Sequence, residues 1–153
     1  MGPEPWVPVS YTYSKTCVWS WTRNTYNCRW RELSTYRQTK ELFSRPIDAG
    51  GADRLIELPR HRLRLILQIL TDHGNYGTHL KTTGKRESDN CGKCDLGVES
   101  REHIIQDCPD YARQRRDILV SNLPHLGDLV NSRKFRQISE YLVQTGRLEE
   151  FDG

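Results

Sequence analysis

Three of the chain's five cysteines and one of its five histidines fall in a single stretch, NCGKCDLGVESREHIIQDCP, from Asn90 to Pro109. Their order is Cys91-x2-Cys94-x8-His103-x4-Cys108. Three thiolates and an imidazole are a complete tetrahedral donor set for zinc, so the spacing predicts a CCHC knuckle around one Zn2+ ion. Gly92 and Lys93 separate the first pair by a tight turn, where Gly92 is expected to permit close backbone approach and leave both sulfurs facing one point. The second pair asks more of the backbone. On an uninterrupted α-helix five steps advance about 500°, which leaves His103 and Cys108 about 140° apart. They can share a metal only if the helix stops before Cys108. Pro109 favours that stop by biasing its predecessor away from the α region. Ser100 is the expected N-cap of the short helix carrying His103.

Two plainer uses of these cysteines compete with the metal. A free cysteine is often a small buried apolar residue, but the neighbours of Cys91 and Cys94 are Ser88, Asp89, Asn90, Gly92, Lys93 and Asp95, too polar for a core. Disulfides are disfavoured by the odd number of cysteines and by the lack of a signal peptide ahead of them. Cys17 and Cys28 read as unpaired thiols. Reduced cysteines of this kind suit the cytoplasm or the nucleus.

The 153 residues are 35% hydrophobic and 28% charged, with a mean hydropathy of −0.77. The apolar core must therefore be small and concentrated, and a metal would supply much of the local stability, about 10–16 kcal/mol in small zinc-finger peptides. No apolar run approaches the ~20 residues that span a bilayer, so no membrane partner is expected. A net charge of +3 does not by itself announce nucleic acid. The distribution says more: Arg60, Arg62 and Arg64 cluster, as do Arg113, Arg115 and Arg116, and Arg133, Lys134 and Arg136. Basic clusters beside a zinc knuckle suit nucleic acid.

The elements that must position the knuckle are mainly helical. Residues 1–30 are aromatic-rich. The alternation of Val9, Tyr11 and Tyr13, and of Trp19 and Trp21, predicts a half-buried β-strand. No second strand is visible to pair with it, so the segment reads as the remnant of a preceding domain. Residues 31–89 form a helical region. A short helix is expected within 31–46, closed by Pro46, with a break at Gly50-Gly51 and a helical stretch from Asp53 to Leu58. The clearest helix follows Pro59, with Leu63, Ile66, Leu67 and Leu70 at i, i+3, i+4 and i+7, and Leu65 and Ile69 widening its apolar face. His73 and His79 lie in a glycine-bearing loop, and 81–90 is a polar linker. After the knuckle at 90–109, the region 110–153 is expected to hold two helices. The first, about 109–121, has Tyr111, Ile118 and Leu119 on its apolar face, with Arg113, Arg115 and Arg116 mostly outside it. The second, about 132–145, buries Phe135, Ile138 and Leu142 and ends at Gly146. The expected class is mainly α, a small helical domain around the CCHC knuckle.

From about Trp30 to Arg116 the chain resembles the C-terminal region of the Pol polyprotein (the reverse transcriptase) of non-LTR retrotransposons, the LINE-like elements of the Jockey and R1 kind. TYRQTKELF at 35–43 resembles the stretch after that polyprotein's enzymatic portion. RLRLILQILTDHGNYGTHL at 62–80 is similar to its Leu-rich helix and following loop, and CPDYARQRR at 108–116 to its Cys-Pro and arginine. The family loop reads Thr-Gly-His; here Asp72 stands in the glycine's place. The resemblance implies the terminal piece of an RNA-directed DNA polymerase with endonuclease activity. Neither a Tyr-x-Asp-Asp motif, nor spaced ribonuclease H carboxylates, nor an endonuclease segment occurs in this chain. Asp48, Asp53, Glu57 and Asp72 are scattered singles, whereas two-metal phosphoryl transfer needs clustered acids. No catalytic residue is assigned.

The function expected from these readings is a grip on template RNA or target DNA, beside the catalytic portion of the parent polyprotein. Cys91, Cys94, His103 and Cys108 hold Zn2+. Lys93, Arg101, Arg113, Arg115 and Arg116 contact phosphates, and Tyr111 stacks on an unpaired base. The rival is a zinc-stapled helical protein–protein interaction module without nucleic-acid binding, which the acidic turn from Asp95 to Glu102 suits better.

Overall fold

The computed structural model describes residues 8–35, 37–46, 48–121 and 123–146. Residues 1–7 of the aromatic-rich segment and 147–153 of the C-terminal region lie outside that set. Every named element is helical, and among the described residues the one β feature is an isolated antiparallel bridge between Asn90 and Val98. No helix among them is long and apolar enough to cross a membrane. The chain divides into two compact units, one of residues 1–35 and 45–47, the other of 36–44 and 48–153.

In the first unit, the aromatic segment is a helix and not a strand: α1 runs Tyr11–Glu32, capped by Ser10, whose Oγ accepts from the N–H of Tyr13 at 3.2 Å. The alternation that suggested a strand spans only two or three residues at a time. A lone strand would leave its backbone N–H and C=O groups without partners, whereas a helix pairs them within itself. None of the residues of α1 is buried.

The second unit is built from α2 (Arg37–Leu42), α3 (Ala49–Ile56), α4 (Arg60–Thr71), α5 (Gly77–Thr82), α6 (Ala112–Gln114), α7 (Leu126–Asn131) and α8 (Phe135–Gln144), with two π-helical turns at His103–Asp107 and Arg115–Leu119. Leu65, Ile66, Ile69 and Leu70 of α4 are buried, each contributing about 1.5–3 kcal/mol, while Leu67 stays 45% exposed. This face packs on α8 and α2, and α2 packs on α7. α8 supplies Phe135, Ile138, Tyr141 and Leu142, and Gly146 beyond it takes φ +64°, the left-handed C′ conformation. Gly50-Gly51 does not break the chain but sits in the first turn of α3. A Cβ at Gly50 would meet the Arg133 guanidinium and one at Gly51 the Asp48 carboxylate, so both glycines make room for the Asp48–Arg133 ion pair at 2.6 Å.

Asp72 ends α4 with φ 59° and ψ 26°. That is the left-handed conformation a glycine would adopt at no steric cost. The aspartate gains something in return: its Oδ1 accepts from the Tyr76 hydroxyl at 2.6 Å, which helps fix the turn into α5. Asp72→Ala is therefore expected to cost about 2 kcal/mol, roughly 1 from a strained left-handed alanine and roughly 1 from the lost hydrogen bond. Asp72→Asn, which tolerates the conformation and still accepts, is expected to lose less than alanine, giving up chiefly the carboxylate charge 3.7 Å from the buried Arg101. Urea unfolding of the two variants checks this, and equal stabilities would count against it.

Candidate metal centre

Cys91 and Cys94 are carried by a hairpin-like loop pinned beneath α5. The N–H of Glu99 donates to Asp89 O at 2.7 Å and that of Cys91 to Gly97 O at 2.8 Å, closing the loop on itself. The N–H of Thr78 on α5 donates to Glu99 O at 3.1 Å. Gly77 allows that approach, because a Cβ there would sit 2.5 Å from the Asp89 carbonyl oxygen. Gly77→Ala must displace the loop and is expected to weaken metal retention as well as stability. A variant melting within 2 °C of the wild type would sink that expectation. Gly92 proves less constrained than its sequence position suggested: a Cβ there meets only Arg86 Nη2 at 3.7 Å, an ordinary contact. Asp95 takes the positive φ of this turn, 53°.

His103 and Cys108 come from the other wall. Ser100 Oγ accepts from the N–H of His103 at 3.1 Å, as an N-cap of the helical turn that follows. Arg101 and Glu102 are α-helical, and His103–Asp107 is a π turn. The N–H of Cys108 reaches back to His103 O at 2.7 Å, a five-residue step. Cys108 itself leaves the helix, with φ −57° and ψ 119°, before Pro109. The expected stop before Cys108 is present. The widened turn completes it, because a backbone that closes over five residues brings the side chains of His103 and Cys108 round to the same side. A strict α-helix would not.

The four donor atoms of Cys91, Cys94, His103 and Cys108 all lie within 4.8 Å of one another. Cys91 Sγ is 3.9 Å from Cys108 Sγ, and Cys94 Sγ is 3.4 Å from His103 Nε2. A tetrahedral site with metal–sulfur bonds of about 2.3 Å and metal–nitrogen bonds of about 2.0–2.1 Å has edges of about 3.8 and 3.6 Å. The group can thus hold a metal ion with little rearrangement. Cys91 and Cys108 are buried and Cys94 and His103 half-buried, while Gly92, Lys93 and Asp95 of the intervening turn face solvent. The polarity of the segment belongs to the turn and not to the sulfurs.

The electrostatics suit the same role. Burial alone would push the Cys91 thiol up, but the backbone N–H groups of Cys94 and Lys93 point at its sulfur and hold it below the ordinary thiol range. Such N–H groups stabilise a thiolate as they would any anion. Burial pushes Cys108 up to about 12, against a backbone N–H of Asp110 that works the other way. Burial, followed by the Arg115 charge, holds the His103 imidazole below its usual value despite Asp107, so it is neutral and able to ligate.

The residues expected to contact nucleic acid divide into two groups. Lys93, Arg113 and Arg116 are exposed, Arg113 at 87% with Asp117 Oδ2 3.8 Å from its Nε. Arg101, Arg115 and Tyr111 are not on the surface, so they do not offer the phosphate contacts and base stacking expected of them. Arg101 is 2% exposed; its Nε donates to Glu102 Oε1 at 2.5 Å and its Nη1 to Ile69 O at 3.2 Å, with Glu41 and Asp72 close by. Tyr111 is buried edge-on against Tyr141, with ring centroids 6.5 Å apart, and cannot stack on a base. Arg115 follows Tyr111 by four residues and Leu119 follows Arg115 by four, which places all three on one inward face. His73 and His79 meet edge-on at 5.1 Å, without joining any metal-ligand group among the described residues.

Sequence reasoning missed the buried carboxylate of Glu99, which pairs with Arg86 at 2.7 Å under the cysteine loop. Nothing in the spacing of Arg86 and Glu99 marks them as partners. No protein-family model matches the chain, and no curated protein or solved structure matches it significantly.

Proposed function

We propose that the second unit is a zinc-stapled helical domain that grips nucleic acid, as the tail of a non-LTR retrotransposon reverse transcriptase would grip template RNA or target DNA. The observation that carries the reading is the convergence of three sulfurs and one imidazole on one half-buried point. Zinc is the metal that best suits this set: soft thiolates disfavour magnesium and calcium, and a closed four-donor tetrahedron is the structural zinc arrangement. When bound, zinc supplies a cross-link and a fixed geometry, with no open position for chemistry. The chain's own residues do the rest. The π turn and the loop hold the ligands, while Lys93, Arg113 and Arg116 face outward with charges suited to phosphate.

The test is metal content followed by a salt titration. One zinc per chain is expected, lost in Cys108→Ser. Three phosphate contacts give a salt slope of about −2 to −2.7, so affinity for a labelled oligonucleotide should fall at least about 20-fold between 50 and 200 mM salt. A flat response overturns the nucleic-acid part. The burial of Arg101, Arg115 and Tyr111 favours a second reading, in which zinc staples an interface for a protein such as the catalytic portion of the parent polyprotein. Metal-loaded protein that ignores RNA and DNA but retains that partner would select it.

A further inference from the structure

Away from the metal, the starts of α4 and α8 and the end of α3 enclose a cleft of about 610 Å³. Arg54, His61, Arg62, Arg133 and Arg136 line it, against the single acid Glu57. None of these is a metal ligand or one of the contacts assigned to nucleic acid beside the knuckle, although Arg62, Arg133 and Arg136 belong to basic clusters visible in the sequence. Two of the guanidinium groups are anchored. Arg62 Nη2 lies 2.6 Å from Glu140 Oε2, and Arg133 donates to both oxygens of Asp48, at 3.0 and 2.6 Å. Arg54 and Arg136 are exposed and have no ion pair among the described residues. Leu58 and Pro59 add an apolar edge to the same cleft.

We infer that this cleft takes the sugar–phosphate backbone of a single nucleic-acid strand. The inference rests on the nucleic-acid reading above and assigns its main contact to a surface other than the knuckle. Four guanidinium groups around one concavity match successive phosphates, because the planar fork donates two parallel bonds to a phosphate's oxygens. Anchoring by Glu140 and Asp48 holds Arg62 and Arg133 in place before the ligand arrives, which lowers the ordering cost of binding. Arg54 and Arg136 contribute positive charge that is tied up in no ion pair among the described residues, with Glu57 the one acid in the lining. The volume is several times that of a lone phosphate ion, and the apolar edge suits a sugar or a base face better than an inorganic anion. The first turns of α4 and α8 carry no side-chain cap, so their N–H groups add to the positive field without being needed to establish it.

The experiment uses the full zinc-loaded chain, with labelled dT20 and rU20 as probes and polyglutamate as competitor. Arg54→Gln/Arg136→Gln removes two exposed charges and leaves the metal ligands alone; equal zinc content confirms that the variant is folded. Losing two single-strand contacts should flatten the salt slope by about 1.4 and weaken binding about 25-fold at 0.1 M salt. A variant that binds as tightly as the wild type, while Lys93→Gln/Arg113→Gln/Arg116→Gln weakens, overturns the cleft and keeps the nucleic-acid reading. A wild type that binds neither probe overturns both. Competition by polyglutamate at equal charge concentration shows an acidic-peptide site instead and also overturns the inference.

Discussion

Stripping zinc from the loaded chain with a chelator, or replacing Cys108 with Ser, is expected to abolish the cooperative unfolding transition of the second unit at 25 °C. A structural zinc site contributes on the order of 10 kcal/mol or more, and a whole domain is stable by only about 5–15 kcal/mol. Here the loss falls on the core, since Cys91 and Cys108 are buried together with Ile104, Ile105 and Tyr111. Without metal, Cys108 is a neutral thiol that packs as a small apolar group, which keeps some α4–α8 contact but no longer ties the loop to the π turn. Circular dichroism with thermal melting reads the result; a Cys108→Ser chain melting within 5 °C of the wild type would remove the metal from the stability argument. Acid should act in the same direction. Ligation requires the thiolate, and burial sets the Cys108 proton at a pKa of about 12, so at neutral pH binding must release it. Metal affinity, and the stability linked to it, is therefore present at higher pH and lost as pH falls, by at least tenfold per unit through neutrality. A pH-independent zinc affinity between 6 and 8 would contradict this.

The metal donors were legible because cysteine and histidine carry their chemistry in their identity, and only their spacing had to be read. The backbone requirement was legible too: a stop before Cys108 followed from the angle between positions 103 and 108. The π turn that completes the geometry was not, since no residue type marks it. The inward turn of Arg115 was in reach, because Tyr111, Arg115 and Leu119 stand at i, i+4 and i+8. The reading that arginines face outward prevailed over that periodicity. Arg101 is a different case. Its burial depends on Glu41, Ile69 and Asp72, between 29 and 60 residues away in the chain, and only the tertiary fold brings them together. The aromatic alternation before Trp30 was misleading for a physical reason: a period of two persists for only a few residues there, and a strand needs a partner that the segment lacks. The short α7 was missed although Leu126, Leu129 and Val130 carry helical spacing, because six residues give the pattern a single repeat.

Removing Arg86 should do more damage than neutralising the carboxylate it pairs with. Glu99 is fully buried, its Oε2 accepts from Arg86 Nη1 at 2.7 Å, and Arg86 Nη2 donates to Asn90 O at 2.7 Å, one residue before Cys91. Arg86→Ala leaves a buried carboxylate stripped of this counter-ion, a change that costs about 3–5 kcal/mol; Arg86 is itself a third exposed, which argues for the lower end. Glu99→Gln keeps the volume and an acceptor oxygen, and the freed guanidinium can turn to water, so its cost is roughly 1 kcal/mol. The double variant should then be more stable than Arg86→Ala alone, because the uncompensated charge is gone. The same bonds position the loop that carries Cys91 and Cys94, so Arg86→Ala should also weaken zinc binding by about 10–100-fold, the usual effect of losing an outer-shell contact. Denaturant unfolding of the three loaded variants, with a zinc competition assay on each, gives the full cycle. Strictly additive energies, or an Arg86→Ala chain that keeps wild-type zinc affinity, would show that the loop is held by its backbone hydrogen bonds and the metal alone, and that the buried pair merely accompanies them.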